Sequence, residues 1–181
     1  MRLTTQTARI LTVAADIANG MDCNDGQLAA VLMQGEVNGV QNLMVPGVGS
    51  ASNVQEARKL QVLLRQLWGE NEDSVAEAVN LLLAEAGARP QICRDVDGRY
   101  VLQQVSLGTA GHQAAVQLAM AFVELLVCGE LGRLRICGRS DCNKVMVDLS
   151  KNRSKRFCDI TCGNQVAVGA YRARKIRGSQ R

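Results

Sequence analysis

Four cysteines in the last quarter of the 181-residue chain constrain its fold more than any other feature. Cys137 and Cys142 are separated by four residues, Cys158 and Cys162 by three, and fifteen residues lie between the two pairs. Two close pairs of thiolates can converge tetrahedrally on one ion, and thiolate sulfur is a preferred ligand of zinc. The spacing therefore predicts one structural Zn²⁺ ion held by these four side chains.

The other cysteines and the N-terminus indicate a reducing compartment. The total of seven is odd, Cys23, Cys93 and Cys128 are scattered, and no secretory signal is visible. Two disulfides or a thiol switch among the clustered four are therefore less favoured than zinc, and we expect a cytoplasmic protein. Oxidation of zinc-bound thiolates with loss of the metal stays open as a redox alternative. Cys93 and Cys128 fall within apolar patterns, which predicts burial in the core.

No segment predicts a membrane anchor. The apolar stretch over residues 113–128 contains Glu124 and is shorter than the roughly 20 residues that cross a bilayer. A hydrophobic content of 47% instead allows one sizeable core and a small metal-stabilised module.

Positive charge is concentrated around the cysteines. Residues 133–181 carry 13 Lys and Arg against 3 Asp, a net charge of +10, whereas residues 1–132 carry 8 against 14, a net charge of −6. Four thiolates on zinc contribute −2 to the first figure, which leaves about +8. This asymmetry is typical of polyanion binding. Aromatic residues make up only 3% of the chain, which favours duplex DNA over single strands read by aromatic stacking.

The cations define a predicted nucleic-acid interface. Four of them fall within residues 151–156, between the two cysteine pairs, and others follow on a predicted C-terminal helix. We expect Cys162 at the start of that helix, with Thr161 available as its cap. The predicted phosphate contacts are Lys151, Arg153, Lys155, Arg156, Arg172, Arg174 and Lys175. The predicted base or sugar contacts are Asn152, Ser154 and Gln165.

Two helices are predicted by apolar spacing in the N-terminal part of the chain. Apolar residues recur at helical intervals over residues 10–17 and again over residues 60–67, as in amphipathic helices. We expect the second helix to begin near Ser52, where Gln55 is placed to complete a capping box. Residues 39–52 contain Pro46 and three glycines, which predicts a loop.

A third helix and a hairpin follow. Ser74 and Glu77 repeat the capping-box pattern before a helix over residues 75–86, which Gly87 should end. Two β-prone runs, 89–94 and 100–105, then flank an Asp-Gly turn signal.

A long helix over about residues 111–128 leads through Gly129 to Gly132 into the cysteine region. The predicted fold class is therefore α+β: a mainly helical N-terminal domain with one hairpin, followed by a small treble-clef-like four-cysteine zinc finger. We place these parts at residues 1–132 and 133–177, with a disordered tail at 178–181. Because a 49-residue segment is too small to fold without its metal, we expect loss of a ligand to unfold the finger alone.

The finger resembles the CGNR zinc finger. That family's pattern is a cysteine pair, an Asp-x-Ser-x-Asn-x-Ser/Lys-Arg stretch, an aromatic-Cys step and a final Cys-Gly-Asn-Arg; here Asp148 to Arg156, Phe157-Cys158 and Cys162 to Gln165 match it. The sequence departs from the pattern twice, since Phe157 stands for the usual tryptophan and Gln165 for the signature arginine. Phe157 should still pack, whereas Gln165 removes one positive charge.

The order of helices, hairpin, long helix and finger resembles proteins in which an ABATE domain precedes a CGNR finger. These are regarded as stress-induced transcription regulators, and Asp16 to Gly20 is similar to a short element of that domain. The resemblance implies that the finger binds double-stranded DNA, while the acidic domain senses a signal or forms a homodimer. A pocket lined by Asp16, Asn19, Arg94 and Arg99 could hold a small-molecule effector, although structural roles for these polar side chains are the favoured interpretation.

Two rival functions are weighed against DNA binding. Catalysis is disfavoured because a catalytic zinc keeps an open position, whereas four cysteines fill the coordination shell. The single histidine, His112, lies at a predicted helix start, where a structural or capping role is expected, and no hydrolase or phosphate-loop motif is present. A zinc module that docks a protein partner without reading DNA stays open.

Overall fold

The computed structural model describes residues 3–20, 51–94 and 97–178. The helices in these ranges are α1 (Thr5–Asn19), α2 (Ala51–Leu67), α3 (Glu72–Glu85), α4 (Ala110–Val127) and α5 (Ile160–Gly178). The strands are β1 (Arg89–Arg94), β2 (Tyr100–Val105), β3 (Leu134–Ile136) and β4 (Val145–Val147). Strand β1 pairs with β2 and β3 pairs with β4, which gives two separate two-stranded antiparallel sheets. A single 3₁₀ turn, Leu131–Arg133, precedes β3. The predicted α+β class is confirmed.

The helices before the finger share one apolar core. The predicted apolar face of α1 is buried, and α4 packs against α1, α2, α3 and β2. Trp68 meets Phe122 edge to face with ring centroids 5.8 Å apart, a favoured aromatic geometry. Within the described ranges, no helix is long and apolar enough to cross a lipid bilayer.

The start of α3 differs from the prediction. Its N-cap is Asn71, whose side-chain oxygen accepts a hydrogen bond from the Ser74 backbone N–H at 2.9 Å, so Ser74 lies inside the helix. Asn71 is an equally good capping residue, and the earlier start places Glu72 and Asp73 in the first turn, where they complement the helix dipole. Gly87, at φ +61°, ends the helix as predicted.

Helix α2 also begins earlier than predicted. Ala51 is already helical, so Ser52 lies within the helix rather than at its cap. The remainder of the predicted loop, residues 39–50, lies outside the described residues.

The β1–β2 hairpin has the predicted bounds. Arg89 pairs with Val105 and Arg94 with Tyr100, and Gly98 at φ +77° supplies the left-handed turn conformation. The long helix α4 begins one residue earlier than expected, after its N-cap Thr109. His112 completes a capping box by accepting a hydrogen bond from the Thr109 N–H at 3.2 Å, which confirms its capping role.

The scattered cysteines are less buried than predicted. Cys93 and Cys128 are only half-buried, because Cys93 lies on a two-stranded hairpin and Cys128 forms the C-cap of α4. Cys23 lies outside the described residues. Gly178, which was predicted to begin a disordered tail, is instead the last residue of α5, because good helix formers precede it. Residues 179–181 lie outside the described residues.

Strand β4 joins the finger to the helical core. Val145 and Val147 belong to the same buried cluster as the apolar face of α1. The Asn19 side chain donates a hydrogen bond to the Val145 carbonyl and accepts one from the Val145 N–H, each at 2.8 Å. The indole N–H of Trp68 donates to the Met146 carbonyl at 3.0 Å. The finger is therefore docked on the helical core through backbone hydrogen bonds as well as apolar packing.

The pairing of β3 with β4 explains why Asn19 has these partners available. The backbone hydrogen bonds from Cys137 to Lys144 and from Asp148 to Arg133 make Ile136 and Val145 a non-hydrogen-bonded pair of the antiparallel ladder. The polar backbone groups of Val145 thus point away from β3. The amide of Asn19 supplies both partners that a third strand would provide.

Candidate zinc centre and nucleic-acid interface

The hairpin and the last helix bring the four cysteines together. Cys137 directly follows β3, Cys142 lies in the turn that leads to β4, Cys158 precedes α5, and Cys162 lies in its first turn. One pair therefore sits on a knuckle and the other at a helix start, which is the predicted treble-clef-like arrangement.

The four sulfur atoms have the spacing of a tetrahedral zinc site. All lie within 4.8 Å of one another; the Cys142 and Cys158 Sγ atoms are 3.8 Å apart, and those of Cys158 and Cys162 are 3.5 Å apart. A zinc–sulfur distance of about 2.3 Å implies a tetrahedral sulfur–sulfur edge of about 3.8 Å. Three of the four side chains are buried and Phe157 packs against the cluster. The residues fit one structural zinc ion, and they fill its coordination shell.

Local hydrogen bonds favour the thiolate form at Cys137. Burial raises the pKa of this thiol, but N–H groups of Cys158 and Arg139 and the neighbouring thiols outweigh it and lower the pKa to about 7. The pKa of Cys158 is raised by its burial and by the hydrogen bonds it shares with the other thiols. The ligands thus form a coupled set rather than four independent thiols.

Arg139 places a positive charge beside the sulfur cluster. Burial lowers the pKa of this guanidinium, but the negative charges of Asp141, Cys162 and Cys142 raise it by a larger amount. The net pKa shift is therefore upward. The Arg139 Nε forms an ion pair with Asp141 Oδ1 at 2.7 Å, without an aligned hydrogen bond. The guanidinium also donates a hydrogen bond to the side-chain oxygen of Gln165. Gln165, which replaces the signature arginine, therefore positions another arginine beside the metal site.

Helix α5 is capped by a residue other than the predicted one. Asp159 Oδ1 accepts a hydrogen bond from the Cys162 N–H at 2.8 Å, and Thr161 lies in the first turn instead. A carboxylate at this position complements the positive end of the helix dipole. Cys162 does lie at the helix start, as predicted.

The Asp148 side chain holds the basic loop, residues 151–156, in place. This role was not predicted from the sequence. The fully buried Asp148 carboxylate accepts hydrogen bonds from the Ser150 N–H at 3.0 Å, from the Ser150 hydroxyl at 2.5 Å and from the Lys155 N–H at 2.9 Å. Burial raises the pKa of this carboxyl, but the bonds from Ser150 and Lys155 and the charge of Arg135 outweigh it and lower the pKa. The Asp-x-Ser pattern was the available signal.

A second acidic residue holds the other side of the loop. The buried Glu130 carboxylate pairs with Arg133 at 2.7 Å and with Arg153 at 2.8 Å, while the Arg133 guanidinium also donates to the backbone carbonyls of Asp148 and Ser150. Arg153 has a left-handed backbone, φ +50°, an uncommon conformation for an arginine. These contacts fix the backbone of the loop, and the side chains of Lys151, Lys155 and Arg156 are exposed on it.

All ten predicted nucleic-acid contacts are exposed. The Arg153 side chain pairs with Glu130, and the Gln165 side chain accepts a hydrogen bond from Arg139. Helix α5 is exposed on every side from Asn164 to Lys175, wherever its side chains are described.

Three of the four residues of the suggested effector pocket make structural contacts. Asn19 binds the backbone of β4, the Arg94 guanidinium donates to the Gly98 carbonyl and the Tyr100 hydroxyl, and Arg99 pairs with Asp97. Asp16 is an exposed residue of α1.

The fold and the site define a four-cysteine zinc-finger protein with a helical N-terminal domain. Family profiles support both parts: one described as "CGNR zinc finger" matches residues 133–175, and ABATE, described as "Putative stress-induced transcription regulator", matches residues 24–129. The chain belongs to the ABATE family and carries a C-terminal CGNR zinc finger. No match was found among curated proteins.

Proposed function

We propose that this protein is a DNA-binding transcription regulator in which the zinc finger contacts duplex DNA. The observation that carries the proposal is α5, a cationic helix that starts at the metal site and has no buried face from Asn164 to Lys175 in the described side chains. A helix of a globular domain normally buries an apolar stripe. A projecting helix with exposed Arg172, Arg174 and Lys175 suits the phosphate-lined groove of a duplex.

The metal site supports this role by fixing the geometry of the basic elements. Zinc would hold the knuckle against the start of α5 and thereby orient the loop over residues 151–156 relative to the helix. The four-thiolate shell is closed, which fits a structural ion and favours no catalytic function. Reduced thiolates also fit a reducing compartment such as the cytoplasm.

We assign the proposed division of labour to residues 1–132 for sensing or dimerisation and to residues 133–177 for DNA binding. A single finger buries little surface on DNA, so a second copy of the chain would raise affinity. Exposed apolar side chains of the β1–β2 hairpin, Ile92, Tyr100 and Leu102, are between 68% and 70% exposed and are the proposed dimer contacts. Sedimentation of the wild type and of Leu102→Glu tests this: a monomeric wild type contradicts it.

A paired charge-neutralisation experiment tests DNA binding. Lys151→Gln with Arg174→Gln removes two exposed finger cations, and should lower the slope of log affinity against log salt by about 2, because each lost phosphate contact contributes about 0.9. The matched control is Lys59→Gln with Arg89→Gln, two exposed cations of the N-terminal part, which should leave the slope unchanged. Equal slopes in the two double variants would place the interface elsewhere.

A protein partner is the second candidate function. Val168 and Tyr171 are 46% and 61% exposed on α5 among its cations, and exposed apolar side chains can contact a protein surface. Binding to such a partner with no salt-dependent affinity for duplex DNA would favour this alternative.

A further inference from the structure

A groove with positive walls lies beside the zinc ligand Cys137. It is lined by Arg135, Ile136, Gly138 and Arg156 and has a volume of about 340 Å³. Two of the four lining residues carry guanidinium groups, which recognise phosphate in a planar, two-pronged geometry.

Arg135 is held in place within the groove. Its Nη2 donates to the Arg153 carbonyl at 2.9 Å, and its Nε lies 3.6 Å from the buried Asp148 carboxylate. That Nε atom is buried and has no hydrogen-bond partner in the part of the chain that the structure describes. Asp148 offsets part of the charge, but its oxygens are occupied by Ser150 and Lys155. Arg135 is thus oriented while most of its five N–H donors stay available to a ligand.

Arg156, which also lines the groove, is held there through its backbone. Its carbonyl accepts a hydrogen bond from the Gly138 N–H at 2.8 Å, and a Cβ on Gly138 would lie only 3.0 Å from that oxygen. The glycine therefore permits the close approach of the two chain segments. The exposed Arg156 guanidinium lies over the Phe157 ring, 5.8 Å from its centroid, and no ion pair engages it within the described ranges.

We propose that this groove binds one phosphodiester unit of the DNA backbone, an inference that rests on the proposed function. The phosphate lies between the two guanidinium groups, and the deoxyribose contacts Ile136, whose side chain is 47% exposed. Arg135, which the sequence did not suggest, is then a phosphate-contacting residue. Arg156 supplies the second charge.

Isoleucine-methyl NMR of the full-length, zinc-loaded protein tests the groove directly. Adding a short duplex of mixed sequence should shift the δ1-methyl signal of Ile136. The signal of Ile10, which is buried in the helical core at 7% exposure, serves as the control and should stay in place. Inorganic phosphate at the same concentration distinguishes a site for any phosphate from one that requires the polymer: a shift with duplex alone assigns the groove to the DNA backbone.

Two variants separate a contact role from a structural one. Arg156→Gln should lower the salt slope by about 0.9 and reduce the Ile136 shift, with zinc content unchanged. Arg135→Lys keeps the positive charge but loses the planar, two-pronged guanidinium. The salt slope should therefore stay unchanged while the affinity for duplex falls about tenfold. Salt-dependent duplex binding without an Ile136 shift, or with the wild-type slope in Arg156→Gln, refutes the groove and leaves the proposed function standing. A wild type that binds no duplex refutes both.

Discussion

Replacing Asn19 by alanine probes the joint between the helical core and the finger. The Asn19 amide makes two hydrogen bonds of 2.8 Å to the backbone of Val145, a residue only 1% exposed. Alanine would leave one buried N–H and one buried carbonyl without their partner.

The expected cost follows from these two groups. A buried polar group left unsatisfied costs about 1–3 kcal/mol, so the two groups together cost about 2–6 kcal/mol. Asn19 is half-buried, and water entering the gap should keep the loss near the lower end. For a chain of this size, about 2 kcal/mol lowers the melting temperature by roughly 4–8 °C.

The assay combines urea unfolding of the zinc-loaded protein with competition for the metal by a chelator. Zinc binding and folding of a small metal module are one equilibrium. A loss of stabilising free energy where β4 docks on the helical core therefore makes the free energy of zinc binding less favourable. We expect Asn19→Ala to weaken zinc binding by at least about tenfold, which corresponds to 1.4 kcal/mol.

Asn71→Ala is the matched control. It removes the side chain that caps α3, at a cost of about 1 kcal/mol, but it does not touch the finger. Its zinc affinity should equal that of the wild type. An unchanged zinc affinity in Asn19→Ala, or a destabilisation no larger than that of Asn71→Ala, would refute the coupling.

Two further predictions concern the finger. Cys142→Ser should abolish stable zinc binding and also lower the melting temperature of the helical core, because Val145 and Val147 belong to that core. The structure thus revises the expectation that only the finger would unfold. A core unfolding transition that stays unaltered in circular dichroism would contradict this prediction. Asp148→Asn should cost about 2–3 kcal/mol at neutral pH, since it weakens charge-assisted hydrogen bonds. Because folding lowers the pKa of Asp148, the ionised carboxylate stabilises the folded protein. This contribution is fully present above the pKa of about 4 in the unfolded chain, and it is lost as the pH falls through the lower pKa of the folded state. The stability difference between wild type and variant should therefore shrink below about pH 4, and a difference independent of pH would count against the assignment.

Local patterns were sufficient to predict the features that depend on residues close together in sequence. The cysteine spacing predicted the sulfur cluster, the Asp-Gly signal predicted the β1–β2 hairpin, and the position of His112 predicted its capping role. In each case the interacting groups lie within a short stretch of chain or share a strict spacing.

Features that depend on tertiary contacts or on competition between similar residues were missed. Asn19 and Val145 are 126 residues apart, and no pattern within α1 indicates that partner. The caps of α3 and α5 were misplaced because Asn71 and Asp159 compete with neighbouring Ser74 and Thr161, which are also good capping residues.

The net charge of the finger follows from the sequence, but the contacts that occupy some of its cations within the protein were not predicted. Glu130 lies outside the predicted finger and neutralises Arg153, while Gln165 engages Arg139. Net charge predicts the sign of a surface, whereas the structure determines which cations stay available to a ligand.

The central claim is that one zinc ion orders a finger that binds duplex DNA. The most direct test measures binding of the zinc-loaded protein to random-sequence duplex across a salt series, with metal content quantified on the same sample. We predict one zinc per chain and, for about six phosphate contacts, a roughly thousandfold loss of affinity between about 50 and 200 mM salt. One zinc per chain with no salt-dependent duplex binding would contradict the claim.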